Sequence, residues 1–298
     1  EALNKEVKWD GDTNSVFIGK LPEGKTSSNK PAEAKPQQEV TASNAEEFVK
    51  AIGSDKKIVL KPGTYNLTTV ANKTISPNIK WEKTYDGYRL ELIGVDNLTI
   101  QGDGDKPVDI VVEPRYSEIF TLLSCNNITF KNIRAGHTII PDNYECNAGV
   151  LYMQDSQKIS ILDSVLYGCG AEGIFAQNVS DLSMNNSIIE KCNLRIMDLM
   201  NCKNCTFDNS KFRNCKFESM FTLGNLENVV FKNCEISENK CTEGSMVEIY
   251  SNGEATNDFS KDIKFINSKF INNTAPDFCR SIIDTSGSKF EGNSFDKK

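Results

Sequence analysis

The chain has 298 residues, a formal net charge of −7 and a hydrophobic fraction of 38%. The negative charge argues against a nucleic-acid partner or an anionic membrane surface. No run of apolar residues approaches the ~18 needed to cross a bilayer, so no transmembrane segment is expected.

The first forty residues differ in composition from the rest of the chain. We expect residues 1–40 to form an N-terminal extension and flexible spacer, and residues 41–298 to form one domain. Residues 25–39 are rich in Ser, Pro, Lys, Glu and Gln and contain no apolar residue larger than Ala, which is typical of a flexible linker. Residues 16–18 could form a stray strand. Such spacers can tether a surface domain to an envelope anchor, so we predict a secreted or cell-surface protein tethered through this segment.

A short helix is predicted directly after the spacer. Ser43 precedes Glu46 by three residues, and apolar residues follow at Phe48, Val49 and Ile52. This pattern indicates a capping box and an amphipathic helix. At the head of a stacked β-structure, such a helix would cover the open end of the core and block edge pairing.

A four-residue phrase with apolar residues two positions apart recurs along most of the remaining chain. Its seven copies begin 23 to 34 residues apart and occupy residues 97–100, 127–130, 158–161, 181–184, 204–207, 228–231 and 262–265. Apolar residues two apart predict short strands, whereas helical repeats would place them three and four apart. The repeat therefore predicts a solenoid of strands stacked coil upon coil.

Two polar files follow the phrase at fixed register. The first contains Asn132, Asp163, Asn186, Asn209, Asn233 and Asn267, and the second contains Ser164, Ser187, Ser210, Cys234 and Ser268. Because stacked strands lie about 4.8 Å apart, equivalent side chains lie directly over one another. A file of Asn at a turn can then hydrogen-bond from side chain to side chain and to the backbone.

The Asn files, the short strands and two segments, IVLKPGTY at 58–65 and LTIQGDG at 98–104, resemble the pectate-lyase-like superfamily over roughly residues 41–298. The resemblance implies an all-β fold, a single-stranded right-handed parallel β-helix solenoid with a short N-terminal capping helix. Lyases, hydrolases, epimerases, adhesins and uncharacterised surface proteins share this scaffold, so it does not by itself define an activity. In this superfamily one sheet face often forms a polysaccharide groove, so a polysaccharide is the expected partner.

The ten cysteines do not indicate a disulfide framework. Cys169, Cys192 and Cys215 recur at intervals of 23 residues in one turn file. A buried free cysteine behaves as a small apolar residue, although stacked neighbours could approach disulfide distance. Cys202 and Cys205 have the spacing of a zinc or redox pair, but no second pair with ligand spacing exists, so no metal ligands are assigned.

The strand after the cysteine-bearing turn is the most informative surface. We align Val150, Ile174, Ile196, Met220, Met246 and Ile282 as a reference file. Residues one and three positions later are mostly apolar and are expected to point inward. The reference file is then expected to point outward as an apolar stripe that either is covered by loops or the N-terminal arm or meets a ligand or partner. The outward file two positions later is predicted to contain Tyr152, Ala176, Asp198, Thr222, Glu248 and Asp284.

Acids on this face are candidates for catalysis or for binding Ca²⁺. Glu248 and Asp284 are expected in adjacent coils about 5 Å apart, with Asp198 about 10 Å from Glu248. These separations span those used in paired-carboxylate hydrolysis and would also suit Ca²⁺. One acid per coil is equally ordinary on a solvated face of an acidic protein. No cofactor is required, although Ca²⁺ could bind.

His137 is the only histidine, and it follows Arg134 in a segment expected to be a long loop between coils. A histidine beside an arginine on such a loop could act as an acid or base, or it could simply cap a turn. The acidic motifs of polygalacturonase-like hydrolases are missing, and no pectate-lyase signature ties the acids to an arginine. The candidate catalytic residues are therefore His137, Arg134, Asp198, Glu248 and Asp284.

Two classes of function remain open. The first is a polysaccharide lyase or glycoside hydrolase of the cell envelope or exterior, acting along the acidic face. The second is a non-catalytic adhesin or scaffold that binds a glycan or a protein through the same face. Tyr152 is the one aromatic residue of this face expected to point outward and could stack on a sugar. The scarcity of outward aromatic residues favours the second class. The candidate ligand-binding residues are Tyr152, Glu172 and Glu218, and the oligomeric state is left open.

Overall fold

The computed structural model describes residues 7–10, 15–18, 36–73, 76–139, 148–251, 254–255 and 260–295. The chain divides into two compact units, residues 1–34 and residues 35–298. In the first unit, Val7–Asp10 pairs antiparallel with Ser15–Ile18, so the strand suggested at 16–18 is present. The second unit begins earlier than the predicted residue 41, because Gln38–Ala42 is already its first strand.

The second unit is built from three long sheets that each coil visits in turn. Sheet 1 contains Gln38–Ala42, Lys56–Leu60, Asp96–Gly102, Asn126–Lys131, Gln157–Leu162, Ser180–Asn185, Lys203–Asp208, Glu227–Lys232, Ser260–Ile266 and Ile283–Asp284. Sheet 2 contains Thr64–Asn66, Val108–Val112, Ile133–His137, Val165–Tyr167, Ile188–Glu190, Lys211–Arg213, Glu235–Ser237, Lys269–Ile271 and Lys289–Glu291. Sheet 3 contains Ile79–Lys83, Tyr88–Ile93, Phe120–Leu123, Leu151–Gln154, Glu172–Gln177, Arg195–Met200, Phe221–Gly224, Ser245–Ser251, Glu254–Ala255 and Asp277–Cys279.

In the later coils the chain forms a strand of a fourth, short sheet after its strand of sheet 2 and before its strand of sheet 3. It contains Lys216–Phe217, Lys240–Cys241, Thr274–Ala275 and Ser294–Phe295. Among the described strands of this unit, all pairings are parallel except two on sheet 3. These join Ile79–Lys83 to Tyr88–Ile93 and Ser245–Ser251 to Glu254–Ala255.

The repeated phrase pairs in the predicted register on sheet 1. Ile128 lies opposite Leu98 on one side and Ile159 on the other, and all three side chains are fully buried. Further along, the rings of Phe207 and Phe265 stack on opposite sides of Phe231, with centroids 4.5 and 4.4 Å away. Stacking identical positions thus converts a period-two pattern into continuous apolar files in the core.

Backbone conformation, as well as side-chain hydrogen bonding, explains why Asn and Asp occupy the first polar file. Its six members all adopt positive φ: Asn132 52°, Asp163 50°, Asn186 49°, Asn209 47°, Asn233 54° and Asn267 49°. Asn and Asp tolerate this left-handed conformation better than other residues that carry a side chain. Asn186 also donates from Nδ2 to Oδ1 of Asp163 at 2.7 Å, so the predicted ladder is confirmed.

The capping helix, α1, spans Ala45–Ala51, and a 3₁₀ turn follows at Leu67–Val70. The cap lies one residue later than predicted. Asn44 accepts a hydrogen bond from the backbone N–H of Glu47 at 2.9 Å, and Glu47 accepts one from the backbone of Ser43 at 2.8 Å. Two backbone donors at the helix start are thereby satisfied.

Helix α1 closes one end of the apolar core. Phe48 is fully buried, and its ring meets Tyr65 and Phe120 edge-on at centroid distances of 6.0 and 6.4 Å. These contacts support the predicted covering role of the helix.

The cysteines pack as core residues. All nine described cysteines are free, and Cys169, Cys192 and Cys215 are almost completely buried. Burial raises the pKa of the Cys192 thiol well above its usual value, which disfavours the reactive thiolate. Within the described ranges, no helix is long and apolar enough to cross a membrane.

Candidate functional site

The outward face of sheet 3 carries a file of side chains, with one residue from each of seven successive strands. Strand pairing places Glu91, Thr121, Tyr152, Phe175, Asp198, Thr222 and Glu248 in register. The predicted alignment was wrong in the strand Glu172–Gln177, because Phe175 and not Ala176 lies in this file. Ala176 lies opposite Met153 and is buried. The predicted register had placed the polar Gln177 inward, and this was the signal that could have exposed the error.

The predicted outward apolar stripe is wrong, because its residues on sheet 3 belong to the core. Val150, Ile196, Met220 and Met246 are all fully buried. These residues stand at the entry to the strands, where the chain turns, and strict alternation holds only within an extended strand. Ile282 is 67% exposed, but it precedes a strand of sheet 1 and not of sheet 3.

Asp284 does not join the acids of sheet 3. It lies opposite Lys264 on sheet 1 and accepts a hydrogen bond from the backbone of Ser286 at 3.0 Å. On sheet 3 the last coil contributes Asp277–Cys279, with Cys279 opposite Val247. The predicted Glu248–Asp284 carboxylate pair is therefore wrong.

His137 and Arg134 lie on sheet 2, in the strand Ile133–His137, and not on the predicted loop. Arg134 pairs with Asp109 at 3.1 Å and covers the ring of Tyr167 at 3.8 Å. His137 is 1% exposed, and its Nε2 lies 3.1 Å from the carbonyl oxygen of Ser117. Neither residue shares a sheet with Asp198 or Glu248, so the predicted constellation is not assembled. The remainder of that loop, residues 140–147, lies outside the described residues.

Burial of His137 should make the protein sensitive to mild acid. Burial lowers the pKa of His137 below its usual value, because the charged imidazolium is poorly solvated there. The unfolded chain then binds a proton more readily, so the stability from neutral His137 is complete above about pH 6.5 and declines below it. We expect His137→Gln, whose amide can still donate to Ser117, to lose less stability than the wild type between about pH 7.5 and about pH 5. Urea unfolding of both proteins at the two pH values measures this, and equal losses would contradict it.

Arg195 organises the acids at the centre of the sheet 3 face. Its Nη1 donates to Asp198 Oδ2 at 2.8 Å and to Thr222 Oγ1 at 3.3 Å, and its Nη2 donates to Glu218. Glu172 lies directly opposite Arg195 on the neighbouring strand. The Arg195 side chain is only 15% exposed, so it is a largely buried cation between these polar groups.

Glu172 titrates near neutral pH. Burial raises its pKa to about 7, against the opposing effect of the Arg195 charge. Burial also raises the pKa of Asp198, again opposed by Arg195. A carboxyl group with a pKa near the working pH can both donate and accept a proton.

Glu248 continues the outward file on the side away from Tyr152. It accepts a hydrogen bond from Ser219 Oγ at 2.7 Å. Burial, together with the charge of Glu248, raises the pKa of Tyr250. Two of the predicted acids, Asp198 and Glu248, thus do share the outward file, with Thr222 between them.

A second charged cluster, which the sequence reasoning missed, lies at the other end of the file. Arg89 pairs with Glu91 at 3.0 Å and with Glu118 at 3.3 Å. Lys80 approaches Glu91 at 3.8 Å. Arg89 and Glu91 share one strand, whereas Lys80 comes from the strand before it and Glu118 precedes the strand after it, so spacing along the sequence does not mark the whole cluster.

Tyr152 and Phe175 form an aromatic pair between the two charged clusters. Their rings are stacked, with centroids 4.8 Å apart and planes within 5° of parallel. Both side chains are partly exposed and stand outside the apolar core. Rigid aromatic rings of this kind provide a large apolar contact area at a ligand site.

No group of three His, Cys, Asp or Glu residues that could hold a metal ion occurs within the described ranges. The Ca²⁺ site considered from the sequence stays an untested prediction.

Parallel strands stacked coil on coil define a β-helix protein. The outward face of sheet 3, with its polar and aromatic side chains, is a candidate ligand-binding face. The family model described as "Right handed beta helix region" matches residues 148–298, about half of the chain, and the chain belongs to this family. The right-handed parallel β-helix implied by the pectate-lyase-like resemblance is thereby confirmed.

Solved structures resemble the chain at the level of the fold. The pectin methylesterase from Aspergillus niger is 12% identical and matches 84% of this chain and 80% of its own, with a TM-score of 0.47. A pectate lyase from Paenibacillus sp. is 8% identical and matches 76% of this chain and 80% of its own, with a TM-score of 0.41. No curated protein sequence matches significantly. At these identities and scores, the likenesses say nothing about activity.

Proposed function

We propose that the protein binds a polysaccharide on the outward face of sheet 3. A sugar ring packs its apolar C–H surface against the aromatic pair, and its hydroxyl groups donate to the flanking carboxylates. The observation that carries the proposal is the pair itself. Tyr152 and Phe175 come from adjacent strands, point away from the core and stay partly exposed to water. Covering such apolar surface is favourable, and carboxylates are strong acceptors for hydroxyl donors.

The surroundings of the aromatic pair favour a sugar over a protein partner. The centres of protein interfaces are depleted of charged side chains. Here the pair is bounded by Arg89 and Glu91 on one side and by Arg195 and Asp198 on the other. These ion pairs fix polar groups before a ligand arrives, which reduces the entropy lost on binding.

Removing both rings is the direct test. We expect Tyr152→Ala together with Phe175→Ala to weaken binding of the responding glycan about tenfold or more, since each aromatic contact contributes on the order of 1 kcal/mol. A glycan panel identifies the responding glycan, and calorimetric titration measures its affinity for both proteins. Tyr85→Ala is the matched control, because Tyr85 is 88% exposed and belongs to the turn beside sheet 3, outside the outward file. Unchanged affinity in the double variant, or an equal loss in the control, would contradict the proposal.

A second candidate is cleavage of the bound glycan, with Glu172 as the proton donor. The observation that favours it is the pKa of Glu172, raised to about 7, on the strand that also carries Phe175. New reducing or unsaturated chain ends, assayed with and without Ca²⁺, would reveal such a reaction. Glu172→Gln should then abolish product while retaining binding. An exported, tethered location stays a prediction from the N-terminal composition.

A further inference from the structure

We propose that two copies of the chain pair through the last coil of the solenoid, at the end away from helix α1. The contact is made by the strand Lys289–Glu291 of sheet 2, called the edge strand below. This surface is distinct from the outward face of sheet 3, so the pairing is independent of the proposed function.

The last coil leaves apolar side chains exposed. Ile282 and Phe290 are 67% and 45% exposed, and Phe278 and Phe295 are only partly buried where they pack together. At the other end of the core lies α1, the one α-helix among the described residues, and its Phe48 is fully buried. A solenoid needs a cap or a polar outer face at each end to stay soluble as a monomer. The last coil has neither within the described ranges and therefore has the character of an interface.

The backbone of the edge strand has hydrogen-bonding groups to offer a second strand. It is the last strand of sheet 2 and pairs on one side only among the described strands. Lys289 donates its backbone N–H to the carbonyl oxygen of Ser268 at 2.8 Å. The carbonyl oxygen of Glu291 accepts the backbone N–H of Asn272 at 2.9 Å. Successive residues of a strand direct their backbone groups to opposite sides, so the N–H and C=O of Phe290 point to the open edge.

A second copy satisfies both groups when a two-fold axis passes beside Phe290. In an antiparallel pair, two residues that form a hydrogen-bonded pair exchange both of their N–H···O=C bonds. With Phe290 opposite Phe290 of the second copy, each chain gains a partner for its free donor and its free acceptor. The two rings also meet, which extends the stack that Phe290 forms on Phe270 at a centroid distance of 4.7 Å.

The charges beside Phe290 are complementary under the same two-fold axis. Because Phe290 packs on the core, Lys289 and Glu291 point away from it, and both are exposed. Antiparallel pairing places Lys289 opposite Glu291 of the second copy, and this contact occurs twice in the dimer. Within one chain, Lys289 lies opposite Lys269, and Glu291 lies opposite Ile271. The neighbouring strand thus gives Lys289 a like charge and Glu291 no cation, whereas a second copy gives each an opposite charge.

The same geometry limits the assembly to two chains. A lysine on an edge strand usually opposes pairing, because strand addition brings it close to other chains without compensation. Here Glu291, two residues after Lys289, turns that repulsion into attraction for a copy of the same strand. A two-fold contact is closed, and α1 covers the core at the other end, so association stops at a dimer.

Sedimentation velocity of the 298-residue chain tests the proposal. We expect a monomer–dimer equilibrium between about 1 μM and about 500 μM, weakened as salt is raised, because exposed ion pairs are screened. Glu291→Lys and Lys289→Glu should each raise the dissociation constant of the dimer at least about tenfold, since each variant replaces two attractive contacts by two repulsive ones. Glu227→Lys is the control, because it makes the same charge change at an exposed position in the middle of sheet 1 and should leave the dimer unchanged.

Mixing the two edge-strand variants gives the sharpest result. Glu291→Lys carries lysine on both sides of Phe290, and Lys289→Glu carries glutamate on both sides. A mixed dimer contains only opposite-charge contacts, so the two variants should associate with each other about as tightly as the wild type does with itself. A chain that carries both exchanges is self-complementary again and should also dimerise like the wild type.

Three results would overturn the proposal. The first is a wild-type chain that stays monomeric over the whole concentration range. The second is a dimer that neither edge-strand variant weakens, because association would then use another surface. The third is a pair of variants that stay monomeric when mixed, together with a double exchange that does not restore the dimer. Circular dichroism of each variant checks that the fold is retained, as expected for substitutions at exposed positions.

Discussion

Replacing Arg195 by Met is expected to lower the free energy of unfolding by about 3 kcal/mol at pH 8, because it removes one partner of a largely buried ion pair. Asp198, with a side chain 15% exposed, would be left as a poorly solvated anion. The charge of Arg195 now lowers the pKa values of Glu172 and Asp198, so both should rise further in the variant. The folded variant then binds more protons than its unfolded chain near neutral pH, and its stability falls as the pH rises. Urea unfolding at about pH 8 and about pH 5 measures the effect, which should be smaller at the lower value.

Arg195→Lys provides the control for this prediction. A lysine keeps the positive charge but cannot reproduce the fork-shaped contacts to two carboxylates, so its loss should be smaller than that of the Met variant. A loss in Arg195→Met that is the same at both pH values would show that the guanidinium contributes packing and not charge compensation.

Replacing Phe231 by Ala is expected to cost about 3–5 kcal/mol, as is usual for deleting a buried aromatic ring. Phe231 is fully buried and stacks between Phe207 and Phe265 at 4.5 and 4.4 Å. Its loss would leave a cavity that neighbouring coils cannot close, because their register is fixed by strand pairing on three sheets. Equilibrium unfolding in denaturant measures the change.

Phe290→Ala is the comparison for the core variant. Phe290 also stacks on a neighbour, with its centroid 4.7 Å from that of Phe270, but it is 45% exposed. Its removal should cost well under half as much as removal of Phe231. Similar losses in the two variants would mean that burial in the stacked core is not what makes Phe231 important.

The stacking of the coils could be predicted from the sequence because it depends on short-range periodicity. Apolar residues two apart, as at Leu98 and Ile100, fix which side chains face the core, and the recurrence of the phrase fixes which strands pair. The Asn file was predictable for a related reason, since each member meets the same local demand for positive φ, as at Asn186.

The candidate site was predicted less well because its register depends on the number of residues in each coil, which varies from coil to coil. The strand with Phe175 is offset by one residue from the predicted alignment, and this moved an aromatic ring from the core to the surface. Asp284 failed for the same reason in the irregular last coil. A one-residue slip reverses the face on which every later side chain lies.

The ion pairs between charged side chains also could not be predicted from the sequence. Arg195 contacts Asp198 on its own strand and Glu218 before the next strand of sheet 3, and nothing in the local sequence marks it as the centre of a cluster. His137 was predicted to lie on a loop beside Arg134, but it is the last residue of a buried strand and pairs with Val112. The prediction failed because the sequence around His137 lacks the regular spacing that marks the other strands.

The most direct test of the account is a crystal structure of the protein with the glycan that binds it in solution. We expect a sugar ring within about 4.5 Å of the side chains of Tyr152 and Phe175, with hydroxyl groups directed at Glu172 and Asp198. A glycan ordered on the faces of sheets 1 or 2, with the aromatic pair left exposed to solvent, would contradict the central claim.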